Sequence, residues 1–172
     1  MSGSSAHHAA SAPRTGLRPT VAFVAVGRPP TSNKAVGKYG ERAKARYSKL
    51  YGLAGGTKSN ELTYAAVYYF VPGYRSSNDA DAGNVHKRVL DGLEGHAFDD
   101  DHVVRFVMAG VIDYGPSAGG PLRVDELDLT GVPAHALPAL AAAISSAEDH
   151  FLYVEIGPLR PEMMAFGMGG SR

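Results

Sequence analysis

The chain contains no cysteine among its 172 residues. That excludes disulfides and thiolate-bound zinc, and it fits a reducing, cytosolic setting. No apolar run approaches the roughly 18 residues needed to cross a bilayer. The first 18 residues are rich in Ser, Ala, His and Gly and lack the apolar core of a secretory leader, so they read as a tail. Net charge is missing too, since 17 Lys and Arg balance 17 Asp and Glu. No internal repeat is visible. The glycine-rich pieces GLAGG and SAGG do not open a helix after a strand, which argues against a phosphate-loop nucleotide site.

The zero net charge hides a division. Residues 1–88 hold 13 Lys and Arg against four acids, and residues 89–172 hold four against 13. Arg28, Lys34, Lys38, Arg42, Lys44, Arg46 and Lys49 cluster with one acid, Glu41, among them. Such a distribution points to a basic surface for a polyanion such as DNA beside an acidic region, although a solvated helix face explains it as well. The length suits one domain, over 19–160, with tails at 1–18 and 161–172.

Residues 20–26 (TVAFVAV) read as a buried strand ended by Gly27. The pattern of 37–53 is an amphipathic helix with Tyr39, Ala43, Arg46, Leu50 and Leu53 near one face. Residues 61–71 (ELTYAAVYYFV) are the clearest strand, stopped by Pro72 and Gly73. A helix over 84–94, a strand over 102–112, an imperfect edge strand over 121–129, a helix within 132–147 around Pro138 and a strand over 151–156 complete the order. The expectation is an α+β, or mixed α/β, fold with a sheet of four or five strands. Tyr64, Tyr68 and Phe70 alternate along the second strand and suit a core or an interface better than base stacking.

Between the second and third long strands the composition changes. Residues 76–104 hold seven of the 17 carboxylates, namely Asp79, Asp81, Asp91, Glu94, Asp99, Asp100 and Asp101, with Lys87 between them and three histidines. Asn84 can cap a short helix, Val85, Val89 and Leu93 form its apolar face, and Gly95 suits its end. Lys87 and Asp91 are spaced for a surface ion pair. Magnesium takes carboxylate and phosphate oxygens and keeps several waters, so two or three of these acids could form a site for a divalent ion that handles phosphate. An ordinary acidic, solvated loop remains the alternative. A helix of this length separates its two acidic ends by roughly 15 Å at 1.5 Å per residue. The clusters therefore meet only if 95–101 folds back or a second subunit supplies one of them.

Three motifs in order carry a resemblance. Asp81-Ala-Gly-Asn84-Val-His-Lys87 is followed by Asp91-Gly92-Leu93, and then by Phe98-Asp99-Asp100-Asp101-His102-Val103-Val104. An early loop, Arg28-Pro-Pro-Thr-Ser-Asn33, precedes them. Across roughly 20–113 the chain resembles the RusA family of Holliday-junction resolvases, small endonucleases of phages and bacteria. The resemblance implies a homodimeric, mixed α/β nuclease that binds four-way DNA junctions in the cytoplasm and hydrolyses phosphodiesters with Mg²⁺ or Mn²⁺, for recombination and repair. By position it implies metal ligation by Asp81 and Asp101, an acidic companion in Asp100 and an essential Lys87. Gly83 stands where the family has a second aspartate, and Asp79 keeps the Asp-x-Asp spacing if the loop shifts by two. Two further readings stay open at this point: a catalytically weakened junction-binding protein, and a domain whose acids contact a basic partner protein.

Overall fold

Residues 63–71 are Thr, Tyr, Ala and Val with a Phe, and all but one are buried, the composition of a strand covered on both faces. This strand sits inside a four-stranded sheet. In the computed structural model the described residues are 19–29, 38–77, 79–115, 129, 131–146, 149–160 and 163, with backbone alone for 38–40. Their order is β1 (Val21–Val26), α1 (Lys38–Leu53), β2 (Thr63–Val71), α2 (Ala82–Leu93), β3 (Val104–Asp113), α3 (Leu137–Ser145) and β4 (Phe151–Pro158). The expected mixed α+β fold is what the chain adopts. The edge strand expected over 121–129, the tails, and the loop through Lys34 lie almost wholly outside the described residues.

The sheet runs β1-β4-β2-β3. β4, last in the chain, lies between β1 and β2 and is antiparallel to both, with Val24 opposite Tyr153 and Val67 opposite Val154. β2 and β3 are parallel, with Val67 opposite Ala109, and α2 makes the crossover between them. A parallel pair needs such a crossover, because two strands running the same way cannot be joined by a tight turn. The geometry has a direct consequence for the acids. α2 starts beyond the C-terminal end of β2 and finishes before the N-terminal start of β3, so its two ends lie at opposite ends of the strands.

α1 and α2 pack together on one face over Ala65, Val67, Tyr69 and Val71 of β2 and Leu152, Val154 and Ile156 of β4. α3 covers the other face, where Leu140 and Ile144 join Val24, Phe151 and Tyr153. Tyr64 and Phe70 are buried, and Tyr68 stacks on Tyr153 at 6.5 Å, so these rings belong to the core and not to a base-stacking platform. α1 turns part of its expected face inward, since Ala43 and Leu50 pack against the core, but the face is centred nearer Tyr47 and Tyr51. Its buried side chains are Tyr47 and Tyr51, whereas Leu53 is 75% exposed. Arg46 leaves the helix to donate to the Val26 carbonyl at the end of β1. The two helices approach closely at Gly92, where an added Cβ would stand 2.7 Å from the Tyr47 ring.

Candidate metal and nucleic-acid site

The N-cap of α2 is Asp81, three residues before the expected Asn84. Its Oδ1 accepts from the Asn84 backbone N–H at 2.7 Å and its Oδ2 from the Asn84 side chain at 2.8 Å. A carboxylate here satisfies orphan amides and meets the positive end of the helix dipole. Asn84 is thus the partner of the cap, one turn in. Gly83 lies in that first turn, and a Cβ on it would approach Asp81 Oδ1 to 3.2 Å. At the other end Glu94 is the C-cap and Gly95 takes φ 80, as its position in the sequence suggests. Leu93 and Phe98 are buried beneath the turn that follows, each stabilising the fold by about 1.5–3 kcal/mol relative to exposure.

Segment 95–101 does not fold back along α2. Gly95 donates to the Phe98 carbonyl at 2.7 Å, closing a tight turn, and the chain then enters a single 3-10 turn, Asp101–Val103, that leads into β3. Asp99 is held by Lys58 and by the Asn60 side chain at 2.5 Å, and these donors keep its carboxyl below the usual range. Asp100 caps the 3-10 turn, accepting from the His102 N–H at 2.9 Å with the imidazole 3.0 Å away. That backbone bond, first, and then the imidazole hold its carboxyl below the usual range. Asp101 is exposed beside it.

The acids at the start of α2 differ in kind. Asp81 faces solvent, but the Asp79 side chain is fully buried. Asp79 Oδ2 accepts from the Arg75 N–H at 2.9 Å and Oδ1 from the Tyr69 hydroxyl at 3.3 Å. Arg28 Nε and His150 Nδ1 each stand 3.7 Å from Oδ1. Tyr69 Oη and His150 Nδ1 are 2.7 Å apart, and Arg28 Nε donates to His150 Nε2 at 2.9 Å. Burial, with the Asp79 charge, pushes the Tyr69 hydroxyl well up, while burial and then the Arg28 charge push the His150 imidazole down. This network was not legible in the sequence. His150 lies 71 residues from Asp79, and only the pairing of β4 beside β2 joins them.

The expected site residues therefore separate into two groups. Asp79 and Asp81 lie before the start of α2 and Asp100 and Asp101 beyond its far end, with the 12 residues of the helix, about 18 Å at 1.5 Å per residue, between them. Lys87 is exposed on α2 between them, and it forms no ion pair with Asp91 among the described residues. Within one protomer these carboxylates do not fit a metal ion, and no group of three or more His, Asp and Glu among the described residues could hold one. The expected substitution of Asp79 for the missing aspartate meets a physical obstacle, because its side chain is fully buried.

Of the basic residues, Arg42 and Lys49 are exposed on α1, Lys44 is half-buried, and Arg28 and Arg46 are engaged as described. The side chains of Lys34 and Lys38 lie outside the described residues. No helix among the described residues is long and apolar enough to cross a membrane. Compared with models of known protein families and with curated proteins, the chain matches none.

Proposed function

We propose that the chain is a RusA-type endonuclease that nicks four-way DNA junctions with Mg²⁺ or Mn²⁺, and that two protomers complete each other's sites. The observation that carries this reading is the separation of the acids by α2. An aspartate held at each end of one helix, each exposed to solvent, suits a site whose halves come from two chains. β3 offers a way to join them. It is an outer strand of ten residues whose pairing among the described residues is with β2 alone, and Val107 on it is 37% exposed. An uncovered strand edge of this length is a template for another strand.

Antiparallel pairing of β3 with its copy about a two-fold axis gives a self-complementary contact. With Ala109 on the axis, Arg105 lies opposite Asp113, Phe106 opposite Ile112, and Val107 opposite Val111. Cross-strand pairs of opposite charge and of apolar groups each contribute roughly 0.2–1 kcal/mol. The same operation sets the N-terminal end of one β3 against the C-terminal end of the other. Asp101 of one protomer then shares an end of the joined sheet with Asp81 of its partner. These two aspartates, with Asp100, are the residues that would hold a divalent ion. When bound, the ion supplies Lewis-acid stabilisation of charge on the phosphate. Lys87 is placed on the exposed face of α2 to neutralise the DNA strand, and Arg42 and Lys49 extend the basic surface.

A second reading is favoured by one observation. Asp79 is buried and Gly83 carries no side chain, so the start of α2 holds a single exposed aspartate, Asp81, which suits a junction-binding protein with weakened cleavage. Incubation of the protein with synthetic four-way junctions and Mg²⁺ or Mn²⁺ tests both. Symmetric nicks lost in Asp101→Asn are expected for the nuclease. Tight junction binding without nicks, with cleavage gained in Gly83→Asp, is expected for the weakened form. Equal affinity for junction and plain duplex, without cleavage, would overturn both and leave a domain whose acids meet a basic partner protein.

A further inference from the structure

We propose that Arg28 is a phosphate-binding arm beside the start of α2, and that His150 is the residue that positions it. The identity of the ligand, a DNA backbone phosphate, rests on the nuclease reading above; the anion site itself does not. Gly27, at φ 105, turns the chain out of β1, and its N–H donates to the His150 carbonyl at the entry to β4. That stitch brings the side chain of the next residue, Arg28, over the imidazole.

The hydrogen bonds then run in one direction. Arg28 Nε–H donates to His150 Nε2 at 2.9 Å. Because Nε2 accepts, the neutral imidazole carries its proton on Nδ1, which faces Tyr69 Oη at 2.7 Å. The Tyr69 hydroxyl donates in turn to Asp79, whose other oxygen is held by the Arg75 amide. The chain ends in a carboxylate whose side chain is fully buried, while the side chain of Arg28 remains 51% exposed.

The Asp79 charge accounts for the place of Nε but not for the rest of the guanidinium. Both Asp79 oxygens are satisfied by other donors, and Arg28 approaches no nearer than 3.7 Å, through Nε alone. A guanidinium has five donors, and among the described residues Arg28 uses only Nε–H in hydrogen bonds. Among the described residues nothing engages its two Nη groups, which form a planar fork, the shape that matches two oxygens of a phosphate. Fixing Nε on His150 and Asp79 removes much of the freedom that the side chain would lose on binding. The position also fits, since Asp79 and Asp81 have Cα atoms no more than about 7 Å apart, at up to 3.6 Å per residue. A phosphate on the Arg28 fork would lie at the end of the sheet that carries Asp81. His150 acts through Arg28 and is a positioning residue.

The full chain, labelled with ¹⁵N, is titrated with inorganic phosphate against chloride at constant ionic strength, following the Arg28 Nε–H and His150 ring signals. A saturable shift is expected in the wild type and in His150→Gln, whose amide oxygen can still accept from Nε. The shift should disappear in Arg28→Ala and weaken in His150→Phe. Arg28→Lys keeps the charge without the fork and should also lose saturation. Absence of a saturable shift in the wild type, or its persistence in Arg28→Lys and Arg28→Ala, would overturn the proposal.

Junction affinity is then measured against salt concentration. Arg28→Ala should flatten the log–log slope by about 0.9, the value for one phosphate contact. His150→Phe should flatten it similarly, and the double variant should be no flatter than Arg28→Ala. An unchanged slope in Arg28→Ala overturns the DNA phosphate assignment while the nuclease reading stands. Phosphate binding at Arg28 by a protein that binds no DNA overturns the nuclease reading and keeps the anion site.

Discussion

Asp81→Asn and Asp101→Asn should each be inactive alone and active when mixed. Two carboxylates sharing one ion each stand about 2.0–2.6 Å from it. Within a protomer, Asp81 caps the start of α2, a helix about 18 Å long at 1.5 Å per residue, and Asp101 lies beyond its far end at the entry to β3, out of that reach. If each site takes Asp81 from one chain and Asp101 from its partner, a mixed dimer carries one site with both substitutions and one with neither. Random reassociation of equal amounts makes about half of the dimers mixed, so roughly a quarter of the wild-type sites return. Asparagine keeps a cap at position 81, so the first variant loses a charge and not a helix. The assay is nicking of an end-labelled four-way junction in Mg²⁺ after the two proteins are exchanged at low concentration. Native mass spectrometry of the mixture, with one variant labelled with ¹⁵N, shows whether chains have exchanged. If exchange is complete and the pair of variants stays as inactive as its parents, the split-site reasoning is wrong. Retention of full nicking by either variant alone would refute it as well.

Gly92→Ala brings two opposed effects together. Alanine favours a helix over glycine by up to about 1 kcal/mol, but its Cβ would meet the buried Tyr47 ring at 2.7 Å, and such overpacking typically costs about 1–3 kcal/mol. Net destabilisation is expected in urea unfolding, and Tyr47→Leu should relieve part of it. Asp79→Ala removes the acceptor for the Tyr69 hydroxyl and the Arg75 amide, so a loss of about 1–3 kcal/mol is expected, with the α2 cap intact; an unchanged melting temperature would contradict the burial of this acid. His150, lowered by burial first and by Arg28 second, binds a proton more readily unfolded than folded. Its contribution to stability is therefore complete above the ordinary imidazole value of about 6.5 and declines as pH falls through the lowered value. Melting temperature should fall from pH 7.5 to 5.5, and less so in His150→Gln.

Local signals in the sequence located the elements well. The alternation and β-branching of 61–71 and 102–112 place β2 and β3 within two residues of their observed ends, and Pro72, Gly73 and Gly95 stop elements where they stand. The phase of α1 was less legible. Tyr47 and Tyr51 are amphipathic, and whether a tyrosine turns inward depends on what it meets, here Gly92 and the loop at Thr57, whose carbonyl accepts from the Tyr51 hydroxyl at 3.0 Å. The cap of α2 was misread because Asp and Asn both serve at that position and three residues separate them. The burial of Asp79 had no local signal at all. It comes from Arg28 and His150, brought from opposite ends of the chain by the insertion of β4 beside β2. The acidic order around α2 was readable from spacing, whereas its division between opposite ends of the strands follows from the parallel direction of β2 and β3.

The cap at Asp81 links occupancy to helix order. Both of its oxygens hold Asn84, so a cation or basic group that draws this carboxylate away from Asn84 competes with the first turn of α2. Replacing an N-cap typically costs a helix about 1 kcal/mol, and a ligand that displaced the cap entirely would bind roughly five-fold more weakly than to a free carboxylate. The start of α2 thus sets a threshold: weak, non-specific cations leave the helix closed, and a ligand strong enough to open it would be reported by fraying of residues 82–84.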